Sequence, residues 1–212
     1  MEIKDAFGYS EKLPEDIREI FVWLCQDLAS LQDKWRFYTD LFSSEENTSL
    51  LSELALSSFR IIEESLRNDM TLAICRLSDP ALSSGKANLS IRTLTQNYSN
   101  MEIIRNLEND FIIACQPIRE LRNKNVGHND LNTRIEPIDN LLPGIKKSQI
   151  FNIIDLAEKI LKSIFVIYDK DCELGFSVPI QIGGADDLIY WLKKTKAENF
   201  KINLSLDENN RS

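Results

Sequence analysis

Apolar residues recur along the first part of the chain in alternating steps of four and three: Ile17, Phe21, Leu24, Leu28, Leu31, Trp35, Tyr38 and Phe42. Such a run lies along one side of an α-helix, and its near-heptad period suits packing against other helices. Pro14 fits the first helical position, and Glu15 and Asp16 follow where the helix dipole favours acids. A heptad seam of this kind is core, and no catalytic role is read into it. Ser43 to Asn47 is the expected loop.

A second long helix is expected from Thr48 to Leu77, with Leu51, Ala55, Phe59, Ile62, Leu66, Met70, Ala73 and Leu77 along one side and no Gly or Pro inside. Pro80 stops it, because the residue before a proline resists the helical region. Ala81 to Ala87 reads as a Ser/Gly loop, and Asn88 to Leu94 as the start of a short helix that fades by Asn100. A third long pattern runs from Met101 to Val126, with Ile104, Leu107, Phe111, Cys115, Ile118 and Leu121 on one face. Pro117 within it implies either a kink or a second start. Gly127 suits the left-handed residue just past a helix end.

Leu131 to Gly144 is a loop with Pro137 and Pro143. A fourth helix is expected from Ser148 to Asp169, carrying Ile150, Ile154, Ala157, Leu161, Ile164, Phe165 and Tyr168. Ser177 to Ile182 is extended, with Pro179 allowing at most an edge strand. Asp186 to Lys196 reads as a short terminal helix. The pattern predicts an all-α fold: a four-helix bundle with short additional helices. Nothing marks a domain boundary, so residues 1–206 are expected as one helical domain and 207–212 as a disordered tail.

Composition narrows the class. The 212 residues are 43% apolar, enough for a real core, and the net charge of -8 argues against a protein that coats nucleic acid. It leaves room for an enzyme that meets RNA at one small basic site. Cys25, Cys75, Cys115 and Cys172 have no paired spacing that suggests zinc, so reduced thiols are expected. There is no signal-peptide pattern and no apolar run near the roughly 20 residues of a membrane span. A cytoplasmic protein away from membranes is the expectation.

The segment with chemical potential is Arg119-Glu-Leu-Arg-Asn-Lys-Asn-Val-Gly-His-Asn-Asp130, which holds His128, the sole histidine. Imidazole accepts and releases a proton near neutral pH, and the Arg122 guanidinium offers a planar fork to a phosphate. On an uninterrupted helix, residues six apart point roughly 120° from each other. A break at Gly127 would let His128 turn back toward Arg122. A histidine near a helix C-terminus also has a purely structural explanation, because its cation favours the dipole. Arg76 and Asp79 close the second helix, where they form either a cap with a local ion pair or polar groups facing Arg122 and His128.

Arg122-Asn-Lys124 followed by Gly127-His-Asn-Asp130 at a helix end, after a helix closing in Arg76-Leu-Ser-Asp-Pro80, resembles the HEPN superfamily. The likeness is nearest to the branch typified by abortive-infection AbiU-type proteins, and it covers roughly residues 15 to 170. The short helix around Leu89 to Arg92 matches in kind. The resemblance implies a bundle that dimerises, with Arg and His lining a cleft shared by two chains. Many such proteins are metal-independent ribonucleases of toxin–antitoxin or phage-defence systems; others have lost catalysis and serve as interaction or nucleotide-binding modules. In one branch, control works by modification of a Tyr two residues after the histidine. Here Asp130 stands at that position, so that control is not carried over.

Three readings stay open at this point. In the first, the chain is an endoribonuclease with catalytic Arg122 and His128, supported by Asn123, Lys124 and Asp130, with Arg76 and Asp79 contributing from the second helix. It needs no metal or other cofactor, acts as a homodimer on RNA, and has an antitoxin protein as partner. In the second it is a non-catalytic HEPN-type module for protein or nucleotide binding. In the third it is a helical dimerisation domain with a structural His128.

Overall fold

The computed structural model describes residues 12–123, 146–170, 174–175 and 183–209. The expectations for Gly127, for the loop 131–144, for the extended segment 177–182 and for Cys172 lie outside them. Six α-helices run through the described residues: α1 Glu15–Phe42, α2 Glu45–Leu77, α3 Ile91–Thr95, α4 Glu102–Leu121, α5 Lys147–Tyr168 and α6 Ala185–Asn209. A two-stranded ribbon, β1 Leu82–Ser83 and β2 Lys86–Ala87, joins α2 to α3. The fold is all-α, as the hydrophobic pattern predicts. Among the described residues no helix is long and apolar enough to cross a membrane.

The chain packs as two compact units: residues 1–32 with 68–177, and residues 33–67 with 178–212. Both boundaries in the first half of the chain fall inside helices, α1 at Gln32/Asp33 and α2 at Arg67/Asn68. No Pro, Gly or Ser-rich linker marks these crossings.

In the first unit, the opening half of α1 buries Ile17, Phe21, Leu24, Leu28 and Leu31, as its seam requires, together with Cys25. α5 is its most apolar helix. Ile150, Ile153, Ile154, Leu156, Ala157, Ile160, Leu161, Ile164 and Phe165 are all buried, which covers far more than one stripe. Each fully buried Leu, Ile or Phe contributes about 1.5–3 kcal/mol relative to exposure. Phe21 stacks on Phe165 with ring centroids 6.0 Å apart. α4 lies against α5 and buries Ile104, Phe111, Cys115 and Ile118. It runs unbroken through Pro117, which is exposed, so the hydrogen bond lost to the Ile113 carbonyl is lost on the solvent side.

The end of α2 is buried nearly all round, through Met70, Thr71, Ala73, Ile74, Cys75, Leu77 and Ser78. The segment expected as a loop is a hairpin. Ser84 and Gly85 both adopt positive φ, 51° and 77°, the signature of a two-residue turn whose twist matches its strands. Ser90 caps α3 by accepting the Thr93 backbone N–H on its side-chain oxygen.

In the second unit, Leu41, Leu50, Leu51, Ala185 and Ile189 form the core, with Phe37, Phe42, Phe59, Leu188 and Leu192 packed around them. Trp35, Tyr38 and Phe42 continue the α1 seam as a ladder of rings, at 6.0 and 5.4 Å, but only half-buried; Leu41 takes the inner position. α2 starts at Glu45, earlier than predicted, where Ser44 accepts the Asn47 backbone N–H. It is interrupted at Ala55, which has φ -160° and ψ 61°. Ser49, Ser52, Ser57 and Ser58 surround that break, and serine hydroxyls compete for backbone groups and weaken a helix interior. α6 extends through 25 residues to Asn209, well past Lys196, where the short terminal helix was expected to end.

Candidate functional site

The candidate site is built where two helices of the first unit end together. α2 finishes in Arg76-Leu-Ser-Asp79, and its last carbonyls lack intrahelical partners, as at any helix C-terminus. Arg119, on the last turn of α4, supplies them. Its Nη1 donates to the Cys75 carbonyl at 3.0 Å, to Ser78 Oγ at 3.1 Å and to Asp79 Oδ1 at 2.9 Å. Buried Ser78 in turn donates to the Ile74 carbonyl at 2.9 Å. One guanidinium therefore neutralises Asp79, caps α2 and ties it to α4.

The polar groups of Arg76 and Asp79 do not form the local pair that sequence allows. Asp79 pairs with Arg119, and Arg76 is exposed on the last turn of α2. Asp79 thus faces the end of α4, one turn before Arg122. Arg119 opens the segment singled out from sequence, yet no role was read for it. The signal was present: Arg119 lies four residues after Cys115 and next to Ile118, so it borders the buried face of α4. A charge at such a position requires a partner.

Arg122 follows as the C-terminal cap of α4. Its backbone N–H is shared between the Arg119 and Ile118 carbonyls, and Arg122 and Asn123 begin a wider, π-type turn. The pattern predicts helix to Val126, of which residues 124–126 lie outside the described residues. The Arg122 side chain is half-buried, and its Nε is fully buried with no hydrogen-bond partner among the described residues. Nor does Arg122 form an ion pair among them. Asn123 is exposed. His128, Lys124 and Asp130 lie outside the described residues.

Beneath the two arginines sit two thiols. Burial holds the Cys75 thiol above its ordinary value, opposed by the nearby Arg122 and Arg119 guanidiniums and reinforced by Asp79. Burial pushes Cys115 up to about 12, against a hydrogen bond from Ser78 and the Arg119 charge. Both are protonated packing groups at neutral pH, not nucleophiles.

The second unit contains a cavity of about 200 Å³ lined by Asp33, Arg36, Phe37, Asp40, Asp186 and Asp187. Burial and the neighbouring Asp186 raise the Asp40 carboxyl above its usual range. Four carboxylates to one guanidinium repel a polyanion, so this cavity is no place for an RNA phosphate.

The family model for AbiU2 HEPN domains matches residues 14–181. The chain belongs to the AbiU2 HEPN family. This AbiU2 segment takes in both helix ends of the candidate site and the run from Lys124 to Asp130, while α6 lies beyond it. The AbiU2 assignment makes the chain an abortive-infection-associated HEPN protein. Searches of curated proteins and of solved structures return no match.

Proposed function

We propose that this AbiU2 protein is a metal-independent endoribonuclease, a toxin or phage-defence effector that cleaves RNA by attack of the ribose 2′-hydroxyl. The observation that carries the reading is the division of labour between two arginines. Arg119 is neutralised by Asp79, while Arg122, with its Nε unpaired, has no carboxylate partner among the described residues. A guanidinium in that condition suits a phosphate, which it binds through two parallel donors.

In this mechanism His128 removes the 2′-hydroxyl proton or delivers one to the leaving 5′-oxygen. The 2′-oxygen bonds to phosphorus, the bond from phosphorus to the 5′-oxygen breaks, and the products are a 2′,3′-cyclic phosphate and a 5′-hydroxyl. Arg122 stabilises the charge that builds on the phosphoryl oxygens. Asn123 orients the phosphate or the imidazole, and Lys124 adds positive potential against a body of net charge -8. Asp130 caps the following turn.

One group must accept a proton and another deliver one, and the chain has a single histidine. Two histidines at one site need two chains, so the active form is a homodimer with His128 and Arg122 paired across its twofold axis. An antitoxin protein is the expected partner, and the cytoplasm the expected compartment.

The test incubates purified protein with RNA in excess EDTA, beside the His128→Ala variant. Chelator-insensitive cleavage that disappears in the variant is expected. Cleavage abolished by EDTA, or undiminished in His128→Ala, would overturn the mechanism. The acidic balance favours one second reading, a non-catalytic module that binds protein or nucleotide. Full partner binding by His128→Ala, with no cleavage by either chain, would select it.

A further inference from the structure

Arg119 and Arg122 are separated by one helical turn, and the structure gives them opposite fates. Arg119 holds Asp79 at 2.9 Å and fixes the end of α2 through the Cys75 carbonyl and Ser78. Arg122 hangs its own backbone N–H on the Arg119 carbonyl. The two guanidiniums and the Asp79 carboxylate all act on one thiol, that of Cys75, so the three charges share one locality. Asp79 is only 30% exposed, which limits the water available to it if its partner is removed. The cations left around it would then be Arg76, exposed on the last turn of α2, and Arg122, which is hydrogen-bonded to the Cys75 thiol and keeps its Nε unpaired.

We propose that Arg119 is a positioning residue whose ion pair keeps the Asp79 carboxylate off Arg122, leaving the Arg122 guanidinium open to an anionic ligand. That the anion is an RNA phosphate rests on the ribonuclease reading; the separation of charges does not. Without Arg119, Asp79 becomes an internal competitor that occupies the fork before a phosphate can. The expected consequence is unusual. Losing Arg119 harms the site more than losing Arg119 and Asp79 together, although the double variant retains no more of the clamp.

The experiment compares wild type, Arg119→Gln, Asp79→Asn and the double variant. Glutamine keeps a donor for the α2 carbonyl and hydroxyl while dropping the charge, so folding is disturbed less than by alanine. Arginine Nε–H signals are followed by NMR without RNA, with Arg122 assigned from its loss in Arg122→Lys. Binding of a 2′-O-methylated oligonucleotide, which cannot be cleaved, and melting temperature are measured in parallel.

The Arg122 signal should move in Arg119→Gln as it pairs with the carboxylate, and return in the double variant. Oligonucleotide affinity should fall about tenfold in Arg119→Gln and recover in the double variant, on the scale of a buried charge pairing wrongly. Melting temperature should stay low in both, which separates positioning from simple support of the fold. An Arg122 signal unchanged in Arg119→Gln would overturn the proposal, whatever the RNA result. So would an affinity that merely follows melting temperature across the four chains. A signal that moves and returns in a protein that neither binds nor cleaves RNA supports the clamp and removes the ribonuclease reading instead.

Discussion

Arg119 Nη1 lies 2.9 Å from Asp79 Oδ1, across 40 residues of sequence, and joins the last turn of α4 to the end of α2. The pair is 23% and 30% exposed, so solvent screens it only in part. The same nitrogen also serves a carbonyl and a hydroxyl. Arg119→Ala should therefore destabilise the fold by about 2 kcal/mol, the scale of a charged hydrogen bond left without its donor. Urea denaturation measures it, and a change within about 0.5 kcal/mol would place Arg119 among ordinary surface ion pairs.

Arg122→Lys keeps the charge and loses the planar fork. If Arg122 stabilises the transition state, turnover should fall on the order of a hundredfold, the usual scale for an oxyanion donor. Single-turnover cleavage of a defined RNA reads this. Turnover within a few-fold of wild type would show that Arg122 supplies only bulk charge.

A shared site predicts a particular response to mixing. Wild-type chains are unfolded and refolded with an excess of His128→Ala chains, and activity per wild-type chain is measured. It should fall as mixed dimers replace wild-type ones. Activity in proportion to the wild-type chains present would mean that each site is complete within one chain.

Cys25 and Cys115 make stability depend on alkaline pH. Burial raises both thiols from 9.0 to about 12 in the folded chain. Below pH 9 each is protonated whether folded or not, and the full stability is present. From there toward pH 12 the unfolded chain releases protons that the folded chain keeps, so stability falls as pH rises. Denaturation midpoints measured from pH 8 to 11 should show this decline, and a Cys25→Ala/Cys115→Ala chain should show a flatter one. Identical slopes for the two chains would contradict it.

Tyr98 and Tyr168 meet through their hydroxyls at 3.0 Å, and Tyr98 is buried. Tyr168→Phe should cost about 1 kcal/mol, because the hydroxyl of buried Tyr98 loses that partner. The double change to phenylalanine should cost less than the two single changes summed. Strict additivity in chemical denaturation would show that the two hydroxyls do not depend on each other.

Much of this protein is legible in one dimension. The seams of α1, α4 and α5 follow from spacing alone, because a helix brings every third or fourth residue to one face. The Arg76-Leu-Ser-Asp-Pro80 and Arg122-Asn-Lys124 motifs, with His128, point to the HEPN superfamily, and the AbiU2 match bears that out. Chain order cannot say which partner a charge will choose. Asp79 could pair with Arg76 nearby or with an arginine on another helix. Only the packing of α4 against the end of α2 decided for Arg119 and left Arg122 without an acid partner among the described residues. The same holds for α1, where periodicity continues through Trp35 and Tyr38 but Leu41 takes the inner position, since burial depends on what lies opposite. The division into two units was likewise invisible, because it crosses α1 and α2 inside their helical stretches, where local propensity is unchanged. Local sequence fixes which backbone hydrogen bonds form; the partners of buried charges and the depth of each side chain depend on residues brought together only by folding.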